Sequence, residues 1–89
     1  MSCPVVRDYV FSAHGRWEME RRGITDDQVD EVLRAPEQGE EDRPGRCVYQ
    51  SRLPFGNSIY LLRVFVDVDR YPAEIVTVYR TSQIRKYWR

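Results

Sequence analysis

The segment Ala73-Glu74-Ile75-Val76-Thr77-Val78-Tyr79-Arg80 decides the fold of this chain. Alternate residues of a β-strand point to opposite faces of a sheet, so Thr77 and Tyr79 share one face with Ile75. The valines between them share the other face with Arg80. Because one face is more apolar than the other, we expect a strand that packs against a core on one side and presents polar groups on the other.

The preceding strand pattern, residues 59–66, repeats this asymmetry. One of its faces is an unbroken apolar row, formed by Tyr60, Leu62, Val64 and Val66. Arg63 interrupts the other row, which is otherwise apolar. The two patterns together predict a small sheet that carries helices on its apolar side and an arginine-bearing polar surface on its other side.

Three strands separated by turn-forming residues are predicted in the second half of the chain. They cover residues 46–52, 58–67 and 73–80, and the links between them contain Pro, Gly, Asn and Asp. Short links between neighbouring strands favour an antiparallel meander. Residues 5–10 are rich in valine and follow Pro4, which leaves an edge strand and an extended lead-in as alternatives.

Two helices are predicted ahead of these strands. Ser12 is a suitable N-cap for the first, which runs to about Arg22. Thr25 and Gln28 form a capping box at the start of the second. The acidic stretch that follows the second helix, residues 37–45, contains Gly and Pro and is predicted to be a mobile loop.

These elements predict one α+β domain over residues 1–89, with two N-terminal helices packed on one face of a three- to four-stranded antiparallel sheet. The chain has no run of about 18 apolar residues and no signal-peptide pattern, so we expect a cytoplasmic protein without a membrane span. Cys3 and Cys47 are too few and too far apart for a zinc site, and we expect two free thiols.

Charge is distributed unevenly along a chain whose net charge is zero. Residues 1–42 carry a charge of about −6 and residues 43–89 about +6. Residues 81–89 form either a short helix or an extended tail. Past Glu74 every charged residue is a cation, and aromatic residues lie among these cations. This mixture suits phosphates and stacked bases, although an ordinary solvated tail is the alternative. The residues concerned are Tyr79, Arg80, Arg85, Lys86, Tyr87, Trp88 and Arg89.

Three stretches of the sequence resemble a known family of small bacterial proteins. They are Ser12-Ala13-His14, Met19-Glu20-Arg21-Arg22-Gly23-Ile24-Thr25, and Val76-Thr77-Val78-Tyr79-Arg80 ahead of Tyr87-Trp88. Together they are similar to the domain of unknown function 4258, which in turn resembles the RelE and BrnT ribonuclease toxins. The resemblance spans nearly the whole chain and implies two helices on a small antiparallel sheet. Family members usually carry Arg before the Met, where this chain has Glu18.

RNA cleavage without a metal needs a base for the 2′-hydroxyl, a cation for the phosphorane and an acid for the leaving 5′ oxygen. His14 is the one histidine, and it stands with Glu18 and Arg22 at i, i+4 and i+8 on one ridge of the first predicted helix. A lone histidine on a helix flank more often bonds a neighbouring backbone group, so that alternative stays open.

The toxin resemblance implies a second candidate site, on the open sheet face and the C-terminal segment. There Arg63 and Arg80 would bind phosphate, while Tyr79 or Tyr87 would transfer a proton or stack on a base. The helix ridge and this face are not expected to share one site. The candidate catalytic residues are His14, Arg63, Tyr79 and Arg80, and the candidate RNA contacts are Arg22, Arg46, Tyr49, Arg85, Lys86 and Tyr87.

The function implied by the resemblance is that of a toxin-type endoribonuclease of a toxin–antitoxin system, without metal or organic cofactor. Its partners would be RNA, with ribosome-associated mRNA as one form, and an antitoxin protein. A homodimer is an open alternative, and no membrane partner is expected. The alternative function is a non-catalytic binding module of the same fold that contacts protein or nucleic acid, which the zero net charge and Glu18 favour.

Overall fold

The computed structural model describes residues 3–89, which form an α+β structure. The five strands make one sheet in the order β1-β5-β4-β3-β2, in which β1 is parallel to β5 and the other pairs are antiparallel. The α+β class is confirmed, but the sheet is mixed and has five strands, and there are three helices. In chain order the elements are β1 (Tyr9–Phe11), α1 (Ala13–Arg21), α2 (Asp26–Arg34), β2 (Gln38–Arg43), β3 (Arg46–Phe55), β4 (Ser58–Asp67), β5 (Ala73–Thr81) and α3 (Ile84–Tyr87).

The two edge strands account for the difference from the predicted sheet. β1 lies in the segment just ahead of α1 and pairs in parallel with the start of β5. β2 occupies the stretch that was predicted to be a mobile loop, and that prediction is wrong. Its side chains are mostly exposed, so it shows no apolar alternation, and it is held by backbone pairing with β3. A strand of this acidic composition is suited to a sheet edge, where it discourages pairing with other chains.

The predicted helix starts are confirmed. The Ser12 hydroxyl accepts a hydrogen bond from the Gly15 amide at 2.9 Å. At α2 the Thr25 hydroxyl accepts from the Gln28 amide, and the Gln28 side chain accepts from the Thr25 amide. Gly23, between the two helices, has a φ of 69°, a conformation that glycine adopts at little cost. Both helices therefore begin where local capping chemistry directs them.

Both helices lie on one face of the sheet, α1 mainly on β5 and α2 on β3 and β4. α1 approaches β5 closely, because a Cβ on Gly15 would lie 2.6 Å from the carbonyl oxygen of Ile75. The same oxygen accepts a hydrogen bond from the Ser12 amide at 2.9 Å. The α2 side of the core contains Val29, Val32 and Leu33, all essentially inaccessible to solvent.

A bulge in β5 changes which of its residues meet the helices. Thr77 pairs with Phe65 while Ile75 pairs with Val66, so Val76 is an extra residue in β5. As a result Ile75, not Val76, joins Val78 on the helix-covered face, and Ile75 is fully buried. The prediction that Val76 would face the helices is wrong, because strict alternation does not survive a bulge.

Cys3 and Cys47 form a disulfide, so the prediction of two free thiols is wrong. Their 44-residue separation gave no sign of contact. In the fold, however, the N-terminal segment crosses the helix-covered face beside β3 and brings the two Cα atoms to 6.0 Å. The Tyr49 hydroxyl donates to the carbonyl oxygen of Pro4 and holds the same crossing. Within residues 3–89 no helix is long and apolar enough to cross a membrane.

Candidate functional site

The sheet face opposite α1 and α2, called here the second face, carries Arg63 near its centre. Arg63 on β4 lies between two neighbours in register, Gln50 on β3 and Tyr79 on β5. All three side chains point away from the helices, because the residues before and after Arg63, Leu62 and Val64, belong to the helix-covered core. The predicted placement of Arg63 and Tyr79 on one shared face agrees with this register.

The Arg63 side chain is held by neutral hydrogen-bond acceptors. Its Nε donates to the Oε1 of Gln50 at 2.9 Å, and its Nη1 donates to the hydroxyl of Tyr79 at 2.6 Å. Three aromatic rings surround the guanidinium, whose central carbon lies 4.3 Å from the ring centroid of Tyr87, 5.3 Å from Phe65 and 5.7 Å from Tyr79. We call these five residues, Gln50, Arg63, Phe65, Tyr79 and Tyr87, the Arg63 cluster.

Arg63 is a nearly buried cation, and residues 3–89 provide no counter-ion for it. Only 8% of its surface is exposed, and none of the ion pairs within residues 3–89 includes it. By contrast, Arg46 on the same face is neutralised by Asp67, with contacts of 2.6 and 3.3 Å. Burying a charge without an opposite charge is unfavourable by several kcal/mol. An anion placed beside Arg63 would therefore offset this cost.

Tyr79 supplies a protonated phenol to the cluster. Burial raises the pKa of Tyr79 above its usual value of 10.0, while the Arg63 guanidinium acts in the opposite direction. Since the net shift is upward, the phenol keeps its proton at neutral pH. Because Arg63 donates to the Tyr79 oxygen, the phenolic proton is available for another acceptor. The cluster thus places a fixed positive charge beside a proton donor.

Residues 84–89 cover part of the second face. The Tyr87 ring lies over Arg63, and the Trp88 ring lies 4.2 Å from the guanidinium carbon of Arg52. Leu61 and Val48 also point to this side, by their register with Arg52 and Phe65, and both are buried. The face is therefore less open than the sequence predicts.

The helix ridge forms, but on the other side of the sheet. The Glu18 carboxylate accepts from the Nε of Arg22 at 2.6 Å and lies 3.6 Å from the Nε2 of His14. The hydrogen bond from Arg22 lowers the pKa of Glu18. His14 lies on α1 and Arg22 directly follows it, and α1 packs on the face opposite Arg63. The structure does not bring His14 together with Arg63 and Tyr79.

Two other predicted site residues lie away from the Arg63 cluster. Arg80 pairs in register with Leu62 and so points to the helix side, where its guanidinium lies 4.4 Å from the Phe55 ring and 4.9 Å from the Tyr60 ring. Tyr49 is 2% exposed within the core, and burial raises its pKa to about 12. The structure thus places Tyr49, a predicted RNA contact, inside the core and not at the surface. Arg80 cannot bind the same phosphate as Arg63.

The remaining predicted RNA contacts lie on or beside the second face. Arg46 points to this face but is occupied by Asp67. Arg85 and Lys86 are exposed on α3, and the Lys86 Nζ lies 5.4 Å from the Tyr87 ring. These side chains add positive charge near the segment that covers Arg63. Tyr87, by contrast, contacts both Gln50 and Arg63.

Sequence reasoning missed two glutamines in this site. Gln50 is 2% exposed and donates from Nε2 to the Oε1 of Gln38 at 2.8 Å and to the backbone oxygen of Tyr87 at 3.1 Å. The sequence carries little signal for Gln50, since it lies in a row of β3 that already contains Arg46 and Arg52. A cavity of about 350 Å³ lies beside these amides, lined in part by Val48 and Arg89.

No group of three or more His, Cys, Asp or Glu side chains within residues 3–89 is arranged to hold a metal ion. No curated protein and no solved structure matches the chain. The family model described as domain of unknown function (DUF4258) matches residues 11–80. This match begins at the last residue of β1 and ends within β5, and hence includes the strands that carry Gln50, Arg63 and Tyr79. The chain belongs to the DUF4258 family.

Proposed function

We propose that this protein binds single-stranded RNA on the second face and cleaves it there as a metal-independent, toxin-type endoribonuclease similar to RelE and BrnT. The observation that carries the proposal is the nearly buried Arg63 guanidinium, which has neutral partners and no carboxylate among the described residues. A phosphate supplies the missing negative charge, and the Phe65 and Tyr79 rings on the strands supply stacking surfaces for bases.

The cleavage step assigns one role to each of two side chains. The RNA 2′-oxygen attacks phosphorus, the bond to the 5′ oxygen breaks, and a cyclic phosphate forms. Arg63 stabilises the negative charge on the phosphorane, and Tyr79 donates its proton to the departing 5′ oxygen. Solvent water accepts the proton of the 2′-hydroxyl. An antitoxin partner would inhibit the enzyme by covering the same face.

RNA cleavage would take place in the cytoplasm, where disulfides are rare. The Cys3–Cys47 disulfide lies on the helix-covered side, with Cys47 in the core beneath the helices. The Arg63 cluster lies on the opposite side of the sheet and makes no bond to either cysteine. We therefore propose that the reduced protein retains the RNA site, and assays should include both redox forms.

A non-catalytic RNA-binding module is the second candidate. One observation favours it: the described side chains around the Arg63 guanidinium are one amide, one phenylalanine and two tyrosines, with no imidazole or carboxylate to act as a base. His14 cannot fill that role from the other side of the sheet. In this case the cluster would bind the RNA backbone without breaking it.

The test measures binding and cleavage of a labelled, unstructured RNA oligonucleotide by the purified protein. Arg63→Met should abolish binding, whereas Arg80→Ala, which changes an arginine on the opposite face, should not. Tyr79→Phe should retain binding and slow cleavage by roughly 100-fold, as expected for loss of an aligned proton donor. The logarithm of affinity should fall with the logarithm of salt by about 0.7 per phosphate contacted.

Each result separates the candidates. RNA fragments ending in a cyclic phosphate, together with growth arrest on induced expression, support the nuclease. Arg63-dependent binding without fragments supports the binding module. If RNA binds neither the wild type nor a variant without the Tyr87 and Trp88 rings, or if Arg80→Ala weakens binding as much as Arg63→Met, the proposed site is refuted. Circular dichroism and an Arg63→Lys variant, which keeps the charge but not the planar fork, exclude simple unfolding as the cause.

A further inference from the structure

Residues 84–89 lie on the second face without joining the sheet. None of the residues of α3 is buried, and the segment has no strand pairing. It is attached instead through aromatic rings placed over arginines, Tyr87 over Arg63 at 4.3 Å and Trp88 over Arg52 at 4.2 Å. These two rings occupy the surfaces on which RNA bases would stack.

A chain of amide hydrogen bonds also holds the segment, and Arg63 sets its direction. A guanidinium can only donate, so the Gln50 oxygen faces Arg63 and the Gln50 nitrogen faces Gln38 and the Tyr87 carbonyl. The Gln38 oxygen then accepts from Gln50 and from the Arg89 amide, which leaves the Gln38 nitrogen to donate to the Arg89 carbonyl. Side-chain amides thus bind the backbone of the segment.

The segment's contacts are of a displaceable kind. The Gln38 and Glu40 bonds to Arg89 are exposed to solvent, and the Arg52 stack is at the surface. Such contacts are individually weak, because water competes for each of them. Even when Tyr87 covers Arg63, no carboxylate of the described part of the chain pairs with it. An RNA phosphate would supply what the segment does not.

We propose that residues 84–89 are an autoinhibitory cover that competes with RNA for Arg63. Arg52, which is paired with Glu37 at 3.0 Å, only holds the cover in place through Trp88. This inference rests on the proposed function, since it concerns regulation of the same site. RNA binds only those molecules in which the face is uncovered. The apparent affinity for RNA is therefore the intrinsic affinity multiplied by the fraction of uncovered molecules. Weakening the cover therefore strengthens RNA binding, although it removes aromatic rings from the face.

The first test compares the RNA affinity of Tyr87→Ala and Trp88→Ala with that of the wild type. Each substitution should tighten binding by about 3-fold, and the two together by about 10-fold, as expected for loss of exposed cation–π contacts. Tyr71→Ala is the control, because Tyr71 is an exposed tyrosine, 83% accessible, in the link between β4 and β5. Its RNA affinity should not change.

The second test follows the segment directly. The chain has two tryptophans, and Trp17 is 55% exposed on α1, so Trp17→Phe leaves Trp88 as the reporter. RNA binding should increase the quenching of Trp88 by acrylamide as the segment leaves the face. Decreased quenching would mean that Trp88 becomes buried against RNA, and would overturn the inference.

Failure of the cover is distinguishable from failure of the proposed function. If RNA binds the wild type through Arg63, but Tyr87→Ala binds equally or more weakly, Tyr87 is an RNA contact and the cover is refuted. If RNA binds neither the wild type nor the double variant, the proposed function fails and the cover fails with it. Binding by the double variant alone would support both.

Discussion

Reduction of the Cys3–Cys47 disulfide should destabilise the protein strongly. The disulfide closes a loop over a sequence separation of 44 residues. Chain-entropy reasoning gives a loss of about 13 cal/mol/K for the unfolded state of such a loop, or about 4 kcal/mol at 25 °C. The folded state should change little, because Cys47 stays fully buried and the Tyr49 hydroxyl still holds Pro4.

This magnitude is large compared with the 5–15 kcal/mol that stabilises a typical domain. For a domain of this size each kcal/mol shifts the midpoint of thermal unfolding by roughly 4–8 °C, so reduction should lower the midpoint by roughly 16–32 °C. The measurement is thermal unfolding followed by circular dichroism, with and without a reductant. Intact mass distinguishes the disulfide from two thiols by two hydrogen atoms.

Cys3→Ala is the matched variant, because it removes the link and leaves the buried Cys47 in place. It should unfold at the midpoint of the reduced wild type and should not respond to the reductant. The reasoning is refuted if the oxidised wild type contains two alkylatable thiols before unfolding, or if reduction leaves its midpoint unchanged. A drop in both wild type and variant would indicate an effect of the reductant itself.

Three further predictions concern charge and packing. Arg46→Met leaves Asp67 unpaired and should lower the free energy of unfolding in urea by about 1–2 kcal/mol, less than breaking a fully buried pair would. Arg63→Met removes an unneutralised charge and should therefore have a smaller effect on stability. The reverse order would contradict our account of Arg63. Arg46 lowers the pKa of Asp67 below 3.8, so the stabilisation by this pair is present above about pH 4 and is lost as the pH falls through the lower pKa of the folded state. Asp67→Asn should therefore reduce the loss of stability that the wild type shows at acid pH. An unchanged loss of stability would refute this. Gly15→Ala should destabilise the protein by roughly 1–3 kcal/mol in the same urea assay, because the added Cβ would meet the Ile75 oxygen. This effect should outweigh the better helix propensity of alanine. A neutral or stabilising effect would show that α1 shifts freely.

Local sequence signals predicted the helices and the central strands well. Ser12, Thr25 and Gln28 direct their own backbone hydrogen bonds, so the caps could be read from neighbouring residues. The alternation around Arg63 and Tyr79 likewise placed both on one face, because register within a meander follows from short turns. These features depend on contacts between residues close in sequence or between adjacent strands.

The features that the sequence did not predict depend on contacts between distant residues. β2 has no apolar alternation, and its pairing with β3 is made by the backbone, which leaves no pattern in side chains. The Cys3–Cys47 disulfide joins residues that only the complete fold brings together. The bulge at Val76 shifts the alternation by one residue, and no glycine or proline marks it in the sequence.

The same limit explains why the candidate site was only half predicted. Arg63 and Tyr79 could be placed together from the strand pattern. The sequence could not show that the described residues place no carboxylate beside Arg63, because the second half of the chain also contains Asp67, Asp69 and Glu74. In the fold, Asp67 pairs with Arg46 and Glu74 with Arg70. Two of these three acids are therefore bound to other arginines. This distribution, more than the number of basic residues, makes Arg63 the position on the second face where an external anion gains most.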